Sequence, residues 1–158
     1  MVPGLGTPRA TMTGMPDGNE EHERAVADAN AAFYSAFETR DLDAMAEVWE
    51  RTDRATVTHP GWPTLRGWAK VAASWDAIFA GTPWIQFVLT DVQVEVAGES
   101  AWVTLDENIL QTAGVTPEDD VPLDAARVAA TNVFALADGR WRMVVHHGSP
   151  VAANVGRA

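Results

Sequence analysis

The stretch Ala130-Thr-Asn-Val-Phe-Ala-Leu-Ala-Asp-Gly-Arg-Trp-Arg-Met-Val-Val-His-His147 reads as a β-hairpin. Two alternating runs flank Asp138-Gly139, a pair suited to a tight turn because both central positions need positive φ. A two-residue loop pairs Leu136 with Trp141, and directly opposed residues share a face. Phe134, Leu136, Trp141, Met143 and Val145 then form a bulky apolar face, and the same parity adds Asn132 and His147. Thr131, Val133, Ala135, Arg142, Val144 and His146 form the opposite face. The apolar set is expected to meet a helical layer, which turns Asn132 and His147 toward an interior. A three-residue loop would reverse this.

Working outward, Gly98-Glu99 marks a second hairpin, giving strands at roughly Trp84 to Ala97, Ser100 to Thr112, Ala125 to Ala137 and Arg140 to His147. Parity about this turn groups Val88, Val92, Val94, Val96, Ala101, Val103, Leu105 and Ile109, with Thr90 and Glu107 among them. The other face is polar, with Gln93, Glu95, Trp102, Thr104 and Asn108, and Asp91 near Asp106. Long bent strands carry bulges, so this register weakens with distance from the turn. Between the hairpins, Ala113 to Asp124 is acidic, holds Pro117 and Pro122, and suits a flap more than a strand.

The first half is helical. Val26, Ala29, Phe33, Ala36 and Phe37 share one face of a helix expected over Glu20 to Thr39. Asp41 then reads as the N-cap of a second helix reaching Trp49, in which Leu42, Met45, Ala46 and Trp49 recur at helical spacing. A short strand over Arg54 to Thr58 runs into the loop Pro60-Gly61-Trp62-Pro63, and a third helix spans about Gly67 to Ala80. Three helices followed by strands define an α+β class, with helices on one face of a curved antiparallel sheet.

At 158 residues the chain is one ordinary domain with room for a core and a small cavity. Zero cysteines exclude disulfides and thiolate chemistry, and agree with a cytoplasmic location. A net charge of -11 argues against nucleic acid or an anionic membrane as partner. No apolar run approaches the ~20 residues of a membrane span. Met1 to Gly18, rich in Gly and Pro, is expected to be a disordered leader, and residues 152–158 a flexible tail.

Chemistry concentrates in Ala55-Thr-Val-Thr-His59-Pro60-Gly61-Trp62, which puts an imidazole where a short strand leaves the sheet. A neutral imidazole, with a reference pKa of ~6.5, can accept a proton near neutral pH. Glu107 stands among apolar residues, where its charged form is disfavoured, making it a candidate general acid. Trp62 is placed to border a cavity mouth, whereas Trp49, Trp68 and Trp75 lie on apolar helical stripes. His146 and His147 are neighbours on a strand and point to opposite faces, so the pair cannot chelate one ion, and no metal or cofactor is expected.

These segments, with Phe33-Tyr-Ser-Ala-Phe-Glu-Thr-Arg-Asp41-Leu-Asp-Ala-Met-Ala-Glu-Val-Trp49, resemble the ketosteroid-isomerase-like and SnoaL-like branch of the nuclear transport factor superfamily. The resemblance runs over roughly Glu20 to Val151 and implies a cone-shaped, cystatin-like fold, with the domain occupying residues 19–151. It places His59 where the isomerase has its proton-shuttling aspartate, Phe33 at its catalytic tyrosine, and Asn132 near its neutral aspartic acid. Tyr34 is adjacent to the tyrosine position, but one residue rotates a helix position by about 100°. With all three positions changed, steroid isomerisation itself is not expected. Other members resemble this scaffold while using His, Asp and Asn in different combinations.

The expectation is cofactor-free proton transfer on a small apolar carbonyl compound, as in an isomerase, dehydratase or cyclase. His59, Glu107 and Asn132 are the catalytic candidates; His147, Trp62, Tyr34 and Trp75 are the ligand-binding ones. The alternatives are a non-catalytic small-molecule binder and an association module, since the His-His-Gly-Ser ending also resembles that of kinase association domains. A homodimer is expected through the outer sheet face, with Ala129, Thr131, Val133, Ala135, Arg142, Val144 and Trp102 at its two-fold interface.

Overall fold

The computed structural model describes residues 18–112 and 124–153. The leader apart from Gly18, the irregular stretch 113–123, and residues 154–158 lie outside the described residues.

Helix α1, Gly18–Thr39, buries Val26, Asn30, Phe33 and Tyr34, a recurrence at helical spacing that faces the sheet. It ends at Arg40, which takes φ 52 and turns the chain into Asp41. Asp41 caps α2, Leu42–Val48, by accepting the Ala44 N–H at 3.0 Å, as the sequence suggested. Strand β1, Thr56–Thr58, is followed by a short β2, Leu65–Arg66, and then α3, Trp68–Ala80, closed by Gly81. The long strands are β3, Trp84–Ala97; β4, Ser100–Thr112; β5, Asp124–Ala137; and β6, Arg140–Pro150.

The sheet runs β2-β1-β6-β5-β4-β3, antiparallel from β6 through β3. At its other end β1 lies parallel to β6, pairing Val57 with His146 and Thr58 with His147. The parallel pairing depends on residues far apart in sequence, so no local pattern announced it. It carries His59 and Pro60 alongside Gly148, where an added Cβ would stand 3.1 Å from Pro60 Cγ and 3.1 Å from Val128 Cγ1. Helices α1, α2 and α3 share with the inner sheet face a single core built on Phe33, Met45, Trp49, Trp75, Phe134 and Met143.

Two bulges decide which side chains reach that core. On β5 and β6 the register changes from Val133 opposite Val145 to Phe134 opposite Met143, so Val144 is an extra residue. Parity inverts beyond it: His146 is buried at 2% exposure, and His147 lies exposed on the other face. The inward placement of His147, read from an unbroken ladder, is thereby corrected. On β3, Asp91 and Val92 lie between the pairs Thr90–Asp106 and Gln93–Thr104, with Asp91 at φ 51. Ile85 and Phe87 consequently face inward, while Val88 is 51% exposed and Val92 43%. Those two valines and Thr90 are corrections to the sequence reading; Val94, Val96 and Glu107 keep the inward side.

Candidate functional site

His59, at the exit of β1, is buried at 4% exposure, with its ring edge-on to Trp75 at 4.7 Å and to Trp62 at 5.0 Å. Its Nε2 lies 2.9 Å from Ser74 Oγ on α3. Ser74 gives its own hydrogen to the Val71 carbonyl at 2.6 Å. The serine oxygen is therefore left to accept, which assigns the proton of the neutral ring to Nε2 and a lone pair to Nδ1. Burial lowers the His59 pKa to about 4, so the ring is neutral near pH 7.

A second polar group sits between the sheet's inner face and α1. Asn132 on β5 donates through Nδ2 to Asn30 Oδ1 at 2.9 Å and to the Tyr34 hydroxyl at 3.2 Å. With its nitrogen so engaged, its oxygen faces His146 Nδ1 at 2.5 Å, and the imidazole must be the donor. His146 is thus fixed with Nδ1 protonated and Nε2 bearing the lone pair. Burial first, then the proximity of His59 and His147, lowers its pKa to about 3.

Tyr34 completes the arrangement by donating to Glu107 Oε1 at 2.6 Å. Glu107 is 3% exposed, and burial raises its carboxyl pKa to about 7, opposed by the tyrosine bond, which favours the charged form. The Tyr34 hydroxyl is pushed well above its ordinary value by burial and by the carboxylate beside it, so it acts as a fixed donor. Glu107 is the titratable group of this site poised near neutrality.

His59, His146 and Glu107 open onto one cavity of about 340 Å³, otherwise lined largely by apolar residues, among them Phe37, Ile85, Phe87 and Val128. Trp62, 41% exposed, stands at its rim, as the sequence suggested. Asn132 and Tyr34 lie behind the wall and act through His146 and Glu107. Tyr34, a ligand-binding candidate one residue from the isomerase's tyrosine position, reaches the polar network through Glu107. Trp75 is fully buried and backs His59 without lining this cavity, which corrects its assignment to ligand contact. His147 is likewise outside it. Among the described residues no cluster of three or more His, Cys, Asp or Glu could hold a metal ion.

Three residues escaped the sequence reading. Asn30 and Ser74 are polar residues on otherwise apolar helical stripes, Asn30 between Val26 and Phe33 and Ser74 between Val71 and Trp75. That misfit was the available signal. His146 was hidden by the bulge at Val144.

A cone of sheet closed by three helices over a cavity with buried polar groups defines a cystatin-like, nuclear-transport-factor-2-like protein. The chain belongs to the SnoaL-like domain family, whose model matches residues 26–153. A putative dehydratase from the NTF2-like family of Streptomyces avermitilis is 38% identical, with a TM-score of 0.79 over 85% of this chain and 99% of that one. A putative calcium/calmodulin-dependent protein kinase type II association domain from Thiobacillus denitrificans is 33% identical, with a TM-score of 0.68 over 80% and 94%. The F-box protein SKIP8 of Arabidopsis thaliana is 29% identical over 126 residues, 80% of this chain and 49% of SKIP8, so the chain spans about half that relative's length. A ketosteroid isomerase-like protein of Erwinia carotovora shares the fold at 19% identity and a TM-score of 0.68 over 84% and 98%.

Proposed function

We propose that this protein is a cytoplasmic, cofactor-free enzyme of the isomerase or dehydratase type, moving a proton on a small apolar carbonyl compound. Glu107 is the proton-carrying group. The observation that carries this reading is a carboxyl buried in an apolar cavity, held by Tyr34 at 2.6 Å, with its pKa brought to about 7. A group titrating at the working pH both takes and returns a proton with little penalty, and such catalysis is worth about 10²–10⁴-fold. His59, the base suggested by position alone, is the weaker candidate at a pKa of about 4 and is assigned to ligand contact through Nδ1. The 38% identical NTF2-like relative, itself described as a putative dehydratase, supports the same class.

The test is deuterium incorporation from heavy water into 4-phenylbutan-2-one beside the carbonyl, followed by NMR. Wild-type protein is expected to accelerate exchange, and Glu107→Gln, which keeps a Tyr34 acceptor, to lose at least about 100-fold of it. Exchange at the solvent rate, or unchanged in the variant, would overturn the reading.

We also propose a homodimer through the outer sheet face. Support comes from the exposed Val88, Val92 and Trp102, at 51%, 43% and 39% exposure, apolar side chains on a face that otherwise meets water. Sedimentation showing only monomer at micromolar concentration would contradict it.

A further inference from the structure

The hydrogen-bond polarity of the cavity is set from behind, and it restricts what can bind. Ser74 holds the proton of His59 on Nε2, and Asn132 holds that of His146 on Nδ1. Asn30 fixes the orientation of Asn132 by taking one of its amide hydrogens. Both imidazoles line the cavity, and their remaining nitrogens, His59 Nδ1 and His146 Nε2, carry the lone pairs and are free to accept. Glu107 has Oε1 occupied by Tyr34, which leaves Oε2 to donate when protonated. No Lys or Arg is among the described residues that line the cavity.

From this pattern we infer that the ligand is an uncharged hydroxy-ketone, its hydroxyl hydrogen received by His59 Nδ1 or His146 Nε2 and the carbon beside its carbonyl set against Glu107 Oε2. The inference rests on the proposed function and narrows its substrate class. A carboxylate or phosphate would face imidazole lone pairs with no cation to offset its desolvation, and is excluded. An ammonium compound would find acceptors but would also have to lose its hydration in a site whose three titratable groups are all driven toward their neutral forms. A ketone without the hydroxyl would leave the imidazole nitrogens unpaired on burial. A cavity of about 340 Å³ accommodates a compound of one ring and a short chain.

The test is a calorimetric binding series on one phenyl frame at pH 7. It compares 4-hydroxy-4-phenylbutan-2-one, 4-phenylbutan-2-one, 3-hydroxy-3-phenylpropanoate and 3-amino-1-phenylbutan-1-ol, alongside ¹⁵N spectra of the histidine rings. The hydroxy-ketone is expected to bind about tenfold tighter than the plain ketone. It should also shift an unprotonated ring nitrogen of His59 or His146, and the carboxylate should not bind. The inference is overturned if the carboxylate or the amine binds as tightly, if the hydroxyl brings no gain, or if no compound binds at millimolar concentration. Equal binding of the two ketones with Glu107-dependent exchange would defeat this inference and leave the proposed function standing. A hydroxy-ketone bound preferentially but never exchanged would do the reverse.

Discussion

Tyr34 and Glu107, 73 positions apart in the chain, meet inside the cone at 2.6 Å, with the phenol as donor. A buried carboxyl left without a partner would be driven higher in pKa by desolvation, and the tyrosine bond draws it back toward neutrality. Tyr34→Phe is therefore expected to raise the midpoint of Glu107 above 7, read by ¹³C NMR of its carboxyl. Leaving the carboxyl and the Asn132 amide short of a partner should cost about 1–3 kcal/mol of stability in denaturant unfolding. A midpoint that falls would show that the bond does not act in this way.

The two adjacent histidines differ sharply. His146→Ala removes a buried ring packed on Phe33 at 4.8 Å and leaves Asn132 Oδ1 without its donor, so a loss of about 2 kcal/mol or more is expected. His147→Ala, on the exposed face, should stay within about 0.5 kcal/mol. Thermal unfolding of both variants checks this; the opposite ranking would mean that the bulge at Val144 is absent and the strand continues in simple alternation.

Stability should pass through opposing pH windows. His59 and His146 have folded pKa values below their unfolded value of 6.5, so the folded state resists their protonation. Their contribution is present above about 6.5 and is lost as pH falls toward 4 and 3. Glu107 is raised from 4.5 to about 7, so its stabilising protonated form is complete below 4.5 and is lost as pH climbs through 7. The shift corresponds to about 3 kcal/mol at most. Glu107→Gln should consequently flatten the decline between pH 5 and 7 and leave the acid-side loss intact, in unfolding measured across pH.

Gly148 permits the close approach of the His59 loop to β6. Adding a methyl at 3.1 Å from both Pro60 Cγ and Val128 Cγ1 requires one of them to yield by a few tenths of an ångström. Gly148→Ala is expected to cost about 1 kcal/mol or more and to weaken ligand binding by displacing His59. Unchanged affinity with unchanged melting temperature would show that the loop has slack.

What the sequence disclosed follows physical range. Helix stripes, the Asp41 cap and the Asp138-Gly139 turn are local devices, and each stands where the pattern put it, within a residue or two. Glu107 and Asn132 were legible because they stand on β4 and β5, the strands opposite the bulges, where alternation runs unbroken. Past Val144, parity failed and named His147 in place of His146; past Asp91 it failed again at Val88. A bulge is one extra residue whose position depends on how two strands and a helix layer fit, and nothing in Met143-Val-Val-His146 marks it. Tyr34 was named for ligand contact and not as a stand-in for the isomerase's tyrosine, yet α1 buries both Phe33 and Tyr34, and the second reaches Glu107.

The central claim is that Glu107, rather than His59, carries the proton. The pH dependence of deuterium exchange into 4-phenylbutan-2-one, measured from pH 4 to 9 on the wild-type protein, tests it most directly. Removal of a proton by the carboxylate predicts a rate that rises with pH through a midpoint near 7, the value at which Glu107 ionises. A rise with a midpoint near 4, where His59 gives up its proton, would contradict the account and return the role of base to the imidazole.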